Sequence, residues 1–465
     1  MSTPGVVIAA PASGSGKTTV ATGLMGALRQ AGRRVAAFKV GPDFIDPGYH
    51  ALATGRPGRN LDPVLVGEML IGPLYSHGCA GADIAVIEGV MGLFDGRIDP
   101  AAAGSAFTRP AGSTAQVADL LAAPVLLVVD ARGQSHSIAA LLQGFSTFDA
   151  GTRIAGVILN RVGSARHEQV LRGACDAAGV PVLGAIPRVD ELTVPSRHLG
   201  LVTAAEYGRH AHSAVAAMTA LVAQHVDLAA LAALAAVTAG PIAGESWSPG
   251  RVVGDPVTGP VTVALAAGKA FSFGYAEHAE LMRAAGADVV EFDPLADPLP
   301  ADASALVLPG GFPEQFTAEL SANDAARRQI NALARNGGAV HAECAGLTYL
   351  LDELDGYPMC GALSGSARFT EQLTLGYRDA VSVADSSLHA IGDRVTGHEF
   401  HRTTVTLGTL GSSYAHAWAY RSDSGETVHD GAVHAGVHAA YLHTHPAAQP
   451  GSVRRFVASG IRLAG

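Results

Sequence analysis

A cysteine at a tight turn is the first residue in the sequence that could act as a nucleophile. The stretch "GGAVHAECAGLTYL", from Gly337 to Leu350, runs from a glycine-flanked apolar strand into Cys344 and then into an apolar helix. A cysteine in this position is expected to stand exposed at the sheet edge, with its sulfur near a helix N-terminus that lowers the thiol pKa. This is the nucleophile-elbow arrangement with Cys in place of Ser, so the pattern predicts that Cys344 is a catalytic nucleophile.

A nucleophilic thiolate needs an oxyanion site and a base, and the sequence offers both. The stretch "LPGGFPE" follows an earlier strand and presents the backbone amides of Gly310 and Gly311. Near the C-terminus, "YLHTHP" supplies His443 and His445 as candidate bases. The remaining cysteines are interpreted as buried structural residues: Cys79, Cys175 and Cys360.

A second chemical element lies near the N-terminus, where "APASGSGKTTVATGLMGAL" follows the first strand and opens a helix. In that context a phosphate loop is credible, although Pro11 stands where the usual first glycine would be. The glycines of the loop let backbone amides turn towards an anion, Lys17 supplies a point charge for the β and γ phosphates, and Thr18 can ligate Mg²⁺. The predicted nucleotide-binding residues are Ser13, Gly14, Ser15, Gly16, Lys17, Thr18 and Thr19.

The residue five positions before the loop lysine separates two classes of phosphate-loop ATPase. Partition and division-site ATPases carry a second lysine there, whereas this chain has Ala12. The difference disfavours a dimerising regulatory switch. It favours a metabolic ligase that uses ATP to activate a substrate.

Carboxylates follow two further predicted strands. The stretch "FKVGPDFIDPGYH" places Lys39 at a strand end and Asp43 and Asp46 in a proline-stiffened loop, and "VIEGVMGLFDG" places Glu88 and Asp95 on one glycine-rich loop. A carboxylate at a strand end beside a phosphate loop typically holds Mg²⁺ directly or through water. We therefore expect ATP as co-substrate, with Mg²⁺ held by the carboxylate of Glu88 and by the hydroxyl of the loop threonine.

Two alternatives stay open for residues near this edge. Lys39 could simply pair with a neighbouring acid instead of contacting substrate. Asp130, in "LLVVDARG", could cap the turn that follows it instead of contributing to the site.

Predicted strands and helices, which must position these residues, alternate along the chain. Near-continuous β-branched runs separated by amphipathic segments fill the first 200 residues, which predicts a parallel sheet covered on both faces and ligands at the carboxyl ends of its strands. A Gly/Pro/Ser-rich connector follows, and a second alternating series then begins with "VTVALAA". The predicted fold class is α/β, with one domain over 1–235, a linker over 236–260 and a second domain over 261–465.

Size and composition agree with two soluble domains. A chain of 465 residues exceeds what one hydrophobic core usually organises. The net charge of −10, from 31 basic and 41 acidic residues, argues against a nucleic-acid surface. The sequence has no long apolar run and no basic segment at its N-terminus, and its cysteines form no CxxC pair, so a reduced, cytoplasmic protein without a membrane segment is expected.

Taken together, one domain would activate a substrate with ATP and the other would carry a thiol suited to opening an amide. The simplest reaction that uses both activities is glutamine hydrolysis that delivers ammonia to an acyl phosphate. A carboxylate does not accept ammonia at neutral pH without an activated leaving group, and phosphate from ATP supplies one.

The motifs together resemble those of the cobyrinic acid or hydrogenobyrinic acid a,c-diamide synthases of corrinoid biosynthesis, over essentially the full length. The blocks that carry the resemblance are "FKVGPDFIDPGYH", "NLD" at Asn60 to Asp62, "EGVMGLFDG", "LPGGFPE", "HAECAGLTYL" and "YLHTHP". The resemblance implies a dethiobiotin-synthetase-like ATPase domain followed by a class I glutamine amidotransferase domain. It also implies three small-molecule substrates: L-glutamine, ATP and a corrin polycarboxylate amidated at side chains c and a.

The resemblance also implies roles for single residues. Cys344 would form a glutamyl thioester and His443 would activate it. In class I amidotransferases a Glu commonly stands two residues after that histidine; here the position is His445, which leaves open what orients the imidazole. Phe44 stands where many relatives have Tyr, so a hydroxyl contact to the corrin is absent. The residues expected to shape the acyl-transfer site are Lys39, Asp43, Phe44, Asp46 and Asp95.

Two rivals remain at this stage. Cobyric acid synthase is a sibling that amidates other corrin carboxylates, and an ATPase switch with a degenerate amidotransferase domain is a reading from a different class. The abundance of Ala, Gly and Arg favours a high-GC genome and therefore metal-free hydrogenobyrinate over cobyrinate. A homodimer is compatible with this interpretation, but the sequence does not decide the oligomeric state.

Overall fold

The computed structural model divides the chain into two compact units, Met1–Trp247 and Ser248–Gly465. The division falls within the predicted linker, of which residues 238–243 lie outside the described part of the chain. The structure describes residues 3–98, 109–189, 196–197, 200–237, 244–408, 414–422 and 424–461. Within these ranges no helix is both long and apolar enough to cross a membrane.

The first unit is built on a seven-stranded sheet whose neighbouring strands are all parallel, in the order β3-β2-β4-β1-β5-β6-β7. Its strands are β1 (Gly5–Ala9), β2 (Val35–Val40), β3 (Gly58–Leu61), β4 (Ile84–Glu88), β5 (Val125–Asp130), β6 (Ile154–Val162) and β7 (Val182–Pro187). A separate two-stranded ribbon pairs β8 (Ser196–Arg197) with β9 (Gly200–Leu201). Most of the residues in the central strands are buried, as expected for a sheet with helices on both faces.

Ten helices accompany this sheet in the described part of the unit. They are α1 (Lys17–Gln30), α2 (Asp46–Thr54), α3 (Pro63–Val66), α4 (Glu68–Gly78), α5 (Thr114–Leu120), α6 (Ile138–Phe148), α7 (Ala165–Ala177), α8 (Ala204–Tyr207), α9 (Arg209–His225) and α10 (Leu228–Val237). Helix α1 packs tightly on α9 because two of its residues lack a Cβ: a Cβ at Gly23 would lie 2.6 Å from the carbonyl oxygen of Met218, and one at Gly26 would lie 2.0 Å from the hydroxyl of Thr219. The close contact fixes the helix that begins at the phosphate loop.

The second unit contains two sheets. The first has the order β11-β10-β12-β13-β21-β20 and is parallel except for the β20–β21 pair; the second has the order β15-β14-β16-β17-β22, with β18 and β19 extending from β16. The strands are β10 (Thr262–Ala266), β11 (Asp288–Phe292), β12 (Ala305–Leu308), β13 (Ala339–Glu343), β14 (Glu353–Leu354), β15 (Tyr357–Pro358), β16 (Gly365–Ser382), β17 (Arg394–Leu407), β18 (Trp418–Arg421), β19 (Thr427–Asp430), β20 (Ala432–His434), β21 (Val437–Ala440) and β22 (His443–Thr444). The helices are α11 (Pro249–Val253), α12 (Ala276–Ala284), α13 (Thr317–Ala322), α14 (Asp324–Arg335), α15 (Ala345–Leu350) and α16 (Pro450–Gly460).

The predicted α/β class is confirmed, because helices accompany a parallel sheet in the first unit and a largely parallel sheet in the second. The strand pattern of the sequence omitted β3 and the long hairpin of β16 and β17. Most residues of that hairpin are partly or fully exposed, so its sequence lacks the continuous apolar run that marks the buried parallel strands. The hairpin matters because β17 covers the cysteine turn.

Candidate active sites

The phosphate loop connects β1 to α1, and residues of β6 support it from behind. Gly14 and Gly16 have φ values of 79° and 94°, which favour glycine. Asn160 donates a 2.9 Å hydrogen bond to the carbonyl of Ser15, and a Cβ at Gly16 would lie 2.3 Å from the Asn160 amide nitrogen. Arg161 donates to the carbonyl of Gly14 over 2.9 Å. Side chains from a strand distant in sequence therefore fix the conformation of the loop.

Lys17 is the first helical residue after the loop, and its ammonium group lies inside the protein. It donates a 2.5 Å hydrogen bond to the carbonyl of Met91, on the loop that follows β4. Burial, and then the nearby positive charge of Lys39, lower the pKa of Lys17 to about 8. The negative charges of Glu88, Asp46 and Asp95 act in the opposite direction without prevailing, so the buried ammonium is expected to gain when a further anion binds to it.

Carboxylates and one lysine converge beside this loop. The ammonium of Lys39 lies 2.6 Å from Asp46 Oδ2 and 3.1 Å from Glu88 Oε1. Thr18 donates a 2.6 Å hydrogen bond to the same Glu88 oxygen, and His50 Nε2 lies 2.7 Å from the other one. Burial alone would raise the pKa of Glu88, but Lys39, His50 and Thr18 together hold it well below its usual value. Glu88 is therefore a buried, fixed anion.

The chemistry of these donors fits Mg²⁺. Oxygen atoms of Thr18, Asp46 and Glu88 face one another, and the Thr18 hydroxyl lies 3.3 Å from Asp46 Oδ2. Among the described residues no group of three or more His, Cys, Asp or Glu side chains could hold a metal ion by itself. That agrees with Mg²⁺ usage in phosphoryl transfer, where one or two carboxylates suffice because substrate phosphates and water complete the shell.

Three predicted acids have local roles in the structure. Asp43 Oδ1 accepts hydrogen bonds from the amides of Ile45 and Asp46, at the start of α2, over 2.7 and 3.0 Å. Asp95 Oδ2 accepts from the amide of Gly92 over 2.8 Å. Asp130 accepts from the amide of Arg132 over 3.0 Å, which is the turn-capping alternative, and it also pairs with Arg161. Asp43 and Asp95 thus shape the two loops, and their negative charges act on Lys39 and Lys17.

The remaining predicted residues of this site occupy the positions that the motif requires. Phe44 is buried near the end of the loop between β2 and α2. Ser13 is exposed, and Ser15 is buried with its hydroxyl donating to the carbonyl of Ala12 over 2.9 Å. Thr19, which is partly exposed, lies in the first turn of α1. Sequence reasoning missed His50 and Arg161 as site residues; His50 stands four residues after Asp46, and that helical spacing was the available signal.

The second site is built on the turn between β13 and α15. Cys344 has φ 50° and ψ −99°, a strained conformation for a residue with a side chain and the one that a nucleophile elbow requires. Its sulfur lies 3.7 Å from the carbonyl oxygen of Phe400 on β17. Strand β17 therefore covers the turn.

Burial makes two expectations wrong: Cys344 is not exposed at the sheet edge, and the pKa of its thiol is not lowered. Only 4 % of the residue is accessible to solvent. Burial raises the pKa of the thiol well above its usual value, and so does the negative charge of Glu314, whereas the amides of Ala345 and Gly311 act in the opposite direction without prevailing. The resting side chain is therefore a neutral thiol, and a thiolate has to be generated by proton transfer inside the site.

The predicted partners of the thiol lie around it. The amide of Gly311 faces the Cys344 sulfur, as its effect on the thiol pKa shows. A Cβ at Gly310 would lie only 2.2 Å from Cε1 of His443, so that imidazole packs directly against the glycine. Gly310 also accepts a 3.0 Å hydrogen bond from the amide of Phe273. The structure thus brings the glycine pair, the thiol and His443 into one buried cluster.

The two C-terminal histidines have different surroundings. His443 is fully buried on β22, and its Nδ1 lies 3.7 Å from Glu343 Oε2. His445 Nδ1 accepts a 3.2 Å hydrogen bond from the amide of Ala447, and its ring packs 4.2 Å from that of Tyr275. His445 therefore caps the next turn. Glu343 is a residue whose role the sequence did not suggest, although its place directly before the nucleophile was visible.

Comparisons with known proteins agree with this architecture. Residues 6–202 match the model of the CobQ/CobB/MinD/ParA nucleotide binding domain, and residues 262–450 match that of the CobB/CobQ-like glutamine amidotransferase domain. Neither match extends into residues 203–261, where the two units divide.

Full-length relatives cover both units. The chain is 71 % identical over 453 residues, 97 % of each protein, to hydrogenobyrinate a,c-diamide synthase of Mycobacterium tuberculosis (strain ATCC 25618 / H37Rv). It is 54 % identical to the enzyme of the same name from Streptomyces coelicolor, over 98 % of this chain and 97 % of the relative. Cobyrinate a,c-diamide synthase of Syntrophotalea carbinolica is 41 % identical over 98 % of each protein. On this evidence, the chain belongs to the a,c-diamide synthase family.

Proposed function

We propose that this chain amidates the a and c carboxylates of a corrin ring, using ATP to activate each carboxylate and glutamine as the nitrogen donor. The observation that carries the proposal is the presence, in one chain, of a phosphate loop with a buried anion at Glu88 and of a cysteine elbow with His443 beside it. The full-length similarity to enzymes named a,c-diamide synthases supports the same reaction.

In the C-terminal unit, the reaction opens the side-chain amide of glutamine. His443 accepts the thiol proton, and the sulfur of Cys344 attacks the amide carbon. The amide of Gly311 faces the sulfur and is placed to donate to the developing oxyanion, while the neighbouring Gly310 gives the imidazole room. The C–N bond then breaks, His443 returns the proton to the leaving nitrogen as ammonia, and water hydrolyses the thioester to glutamate.

In the N-terminal unit, the γ-phosphoryl group of ATP passes to an oxygen of the corrin carboxylate. Ammonia attacks the acyl phosphate, the C–O bond breaks, phosphate leaves and one proton is lost. Lys17 and the loop amides hold the phosphates, and the Lys39–Asp46 pair lies at the adjoining strand end. Mg²⁺, when bound by Thr18, Glu88 and the phosphates, supplies charge neutralisation for the transfer.

The finer parts of the proposal concern substrate and compartment. Relatives named for hydrogenobyrinate reach 71 % identity, whereas the cobyrinate-named relative of Syntrophotalea carbinolica is 41 % identical, which supports a metal-free corrin. Four free, buried cysteines suit a reducing cytoplasm. A homodimer stays a prediction.

A nitrogen-tracing assay tests the function. The protein is incubated with ATP, Mg²⁺, hydrogenobyrinate and glutamine labelled with ¹⁵N in the side-chain amide, and the products are analysed by mass spectrometry. We expect two labelled amides per corrin. Absence of ammonia release from glutamine would favour an ATPase switch, and amidation of other carboxylates on a supplied a,c-diamide would favour a cobyric acid synthase.

A matched pair of substrates tests the metal preference. Steady-state rates are compared for hydrogenobyrinate and cobyrinate at equal concentrations. We expect a higher kcat/KM for the metal-free corrin. A clear preference for the cobalt-bearing ring would overturn that part of the proposal while leaving the amidation chemistry intact.

A further inference from the structure

The structure contains a buried carboxylate beside the base, at a place in the chain where class I amidotransferases do not usually carry their triad acid. Glu343 is the last residue of β13, directly before the nucleophile, and is 6 % exposed. The usual position, two residues after the base, is His445, which is engaged in its own turn. The orientation of His443 therefore has to come from somewhere else.

Three contacts hold one carboxylate oxygen of Glu343 in place. Its Oε1 accepts hydrogen bonds from the amide and the hydroxyl of Thr444, over 3.0 and 2.9 Å, and lies 3.3 Å from Nε2 of His341. The other oxygen, Oε2, lies 3.7 Å from Nδ1 of His443. The carboxylate is thus anchored on one side and faces the base on the other.

We propose that Glu343 is the positioning residue of His443. It takes the role of the usual triad acid, although it stands directly before the nucleophile and not after the base. The proposal rests on the roles proposed for Cys344 and His443. Because Nδ1 faces the carboxylate, Nε2 is the nitrogen left to exchange a proton with the thiol. A carboxylate in this place fixes the tautomer and stabilises the imidazolium that forms when the thiol is deprotonated.

The charges around Glu343 fit this role. Although burial opposes ionisation, the neighbouring imidazoles of His341 and His443 keep the pKa of Glu343 well below its usual value, so the carboxylate remains an anion. Three further buried histidines lie within reach of its field, and burial lowers their pKa values, to about 4 for His278 and His389 and well below the usual value for His438. These rings are neutral at pH 7. The anion is therefore available to compensate a positive charge on His443.

The same anion also opposes ionisation of the thiol. Its negative charge raises the pKa of Cys344, as do burial and Glu314. Neutralising Glu343 removes a negative charge that favours the protonated form of every group facing it. The pH profile of the glutaminase reaction should therefore move to lower pH.

The decisive experiment measures glutaminase activity of Glu343→Gln from pH 5 to 10. We expect kcat to fall about 10²-fold, with KM for glutamine within about twofold of the parent and the pH profile displaced to lower pH. Glu343→Asp keeps the charge but draws it back by one methylene. This variant should lose kcat while keeping the parental pH profile.

Two controls separate positioning from general damage. Glu291→Gln changes an exposed glutamate on β11 of the same unit and should behave as the parent. Cys344→Ser should lower glutaminase activity by about 10³-fold or more; a rate near the parental one would contradict the assignment of the nucleophile. Near-ultraviolet circular dichroism confirms that each variant is folded.

The outcomes divide cleanly. Parental kcat in Glu343→Gln would overturn the proposal, and so would a lower kcat with an unmoved pH profile, because a purely structural role has that signature. If Glu343→Gln does not fold, Glu343→Asp decides the question. Parental kcat in that variant would overturn the proposal, and so would a KM for glutamine that rises as kcat falls; a reduced kcat with the parental KM would support it.

Discussion

The two sites of this chain differ in the charges that they contain at rest. At the phosphate loop, Lys39 lies within 3.1 Å of both Asp46 and Glu88, so opposite charges compensate one another inside the protein. At the cysteine turn, one carboxylate is surrounded by histidines that are mostly neutral, and the thiol itself is uncharged. The first arrangement suits a polyanionic ligand and a cation. The second suits a reaction that creates its charges only while it proceeds.

Burial therefore has different consequences in the two places. Around Glu88, burial strengthens ion pairs that already exist, and the carboxylate stays ionised. Around Cys344, burial suppresses the thiolate, so an unoccupied site is protected from oxidation and from reaction with bulk electrophiles. In the proposed mechanism, reactivity there depends on proton transfer to His443 within the site.

Replacement of the nucleophile should have the largest effect, abolishing the chemistry of one site while leaving the other intact. In Cys344→Ser we expect glutaminase activity to fall by about 10³-fold or more, because the hydroxyl is a much weaker nucleophile in a site built for sulfur. Amidation driven by added ammonium chloride at pH 8.5 should remain at the parental rate. Corrin amides counted by mass spectrometry with each nitrogen source provide the measurement.

Cys360→Ser provides the matched control, because that cysteine is also buried in the second unit but lies away from the base. Glutamine-dependent amidation should persist in this variant. Loss of ammonia-driven amidation in Cys344→Ser would mean that the two reactions are not separable.

Loss of the loop cation should have the complementary effect. In Lys17→Ala we expect amidation from either nitrogen source to fall about 10²- to 10³-fold, because the phosphates lose their buried positive partner during transfer. Basal glutaminase, measured as glutamate formed without corrin or ATP, should be unchanged. Arg33→Ala removes an exposed cation of the same unit and should leave both activities as they were; a joint loss of both activities in Lys17→Ala would contradict independent sites.

The sequence predicted the first site better than the second for a physical reason. At the first site, motif residues follow directly after parallel strands, and the carboxyl ends of such strands meet at one edge. Lys39, Asp46 and Glu88 therefore come together as expected. The sequence could not show that the carboxylates of Asp43 and Asp95 accept hydrogen bonds from backbone amides, because that depends on the loop geometry.

The second site depends on contacts that no local pattern encodes. The exposure predicted for Cys344 was wrong because β17, some 50 residues further along the chain, places Phe400 over the sulfur. Glu343 points at His443 because Thr444, 101 residues away, holds its other oxygen. Neither the elbow motif nor the "HTH" stretch contains this information.

A single methyl group added at the glycine pair tests how closely the imidazole of His443 must be positioned. A Cβ at Gly310 would lie 2.2 Å from His443 Cε1, so the imidazole of Gly310→Ala must shift. We expect glutaminase kcat to fall about 10²-fold, because a displacement of about 1 Å in a proton-transfer site has that effect. Ammonia-driven amidation should be unaffected.

Gly451→Ala is the matched control for that substitution. Gly451 lies in the first turn of α16, where an added Cβ meets nothing within 4 Å. This variant should keep parental glutaminase activity and gain slightly in stability, by up to about 1 kcal/mol. Equal kcat for Gly310→Ala and the parent would show that His443 is not held where catalysis requires it.

The smallest expected effect concerns pH at the nucleotide site. Because the pKa of Lys17 is lowered to about 8, the ammonium becomes neutral as pH rises from 7 to 9 in the free protein. Nucleotide phosphates bind the protonated form, so affinity should be highest below pH 8 and decline above it. We expect the Kd for ATP to rise about tenfold between pH 7 and pH 9, as a single required proton dictates.

Isothermal titration calorimetry at constant ionic strength measures this change, and Lys17→Ala, with no ammonium to titrate, should bind weakly with little pH dependence. An unchanged Kd in the parent protein would mean that the ammonium keeps its proton in the free site, and burial would then matter far less at the phosphate loop than at the cysteine turn.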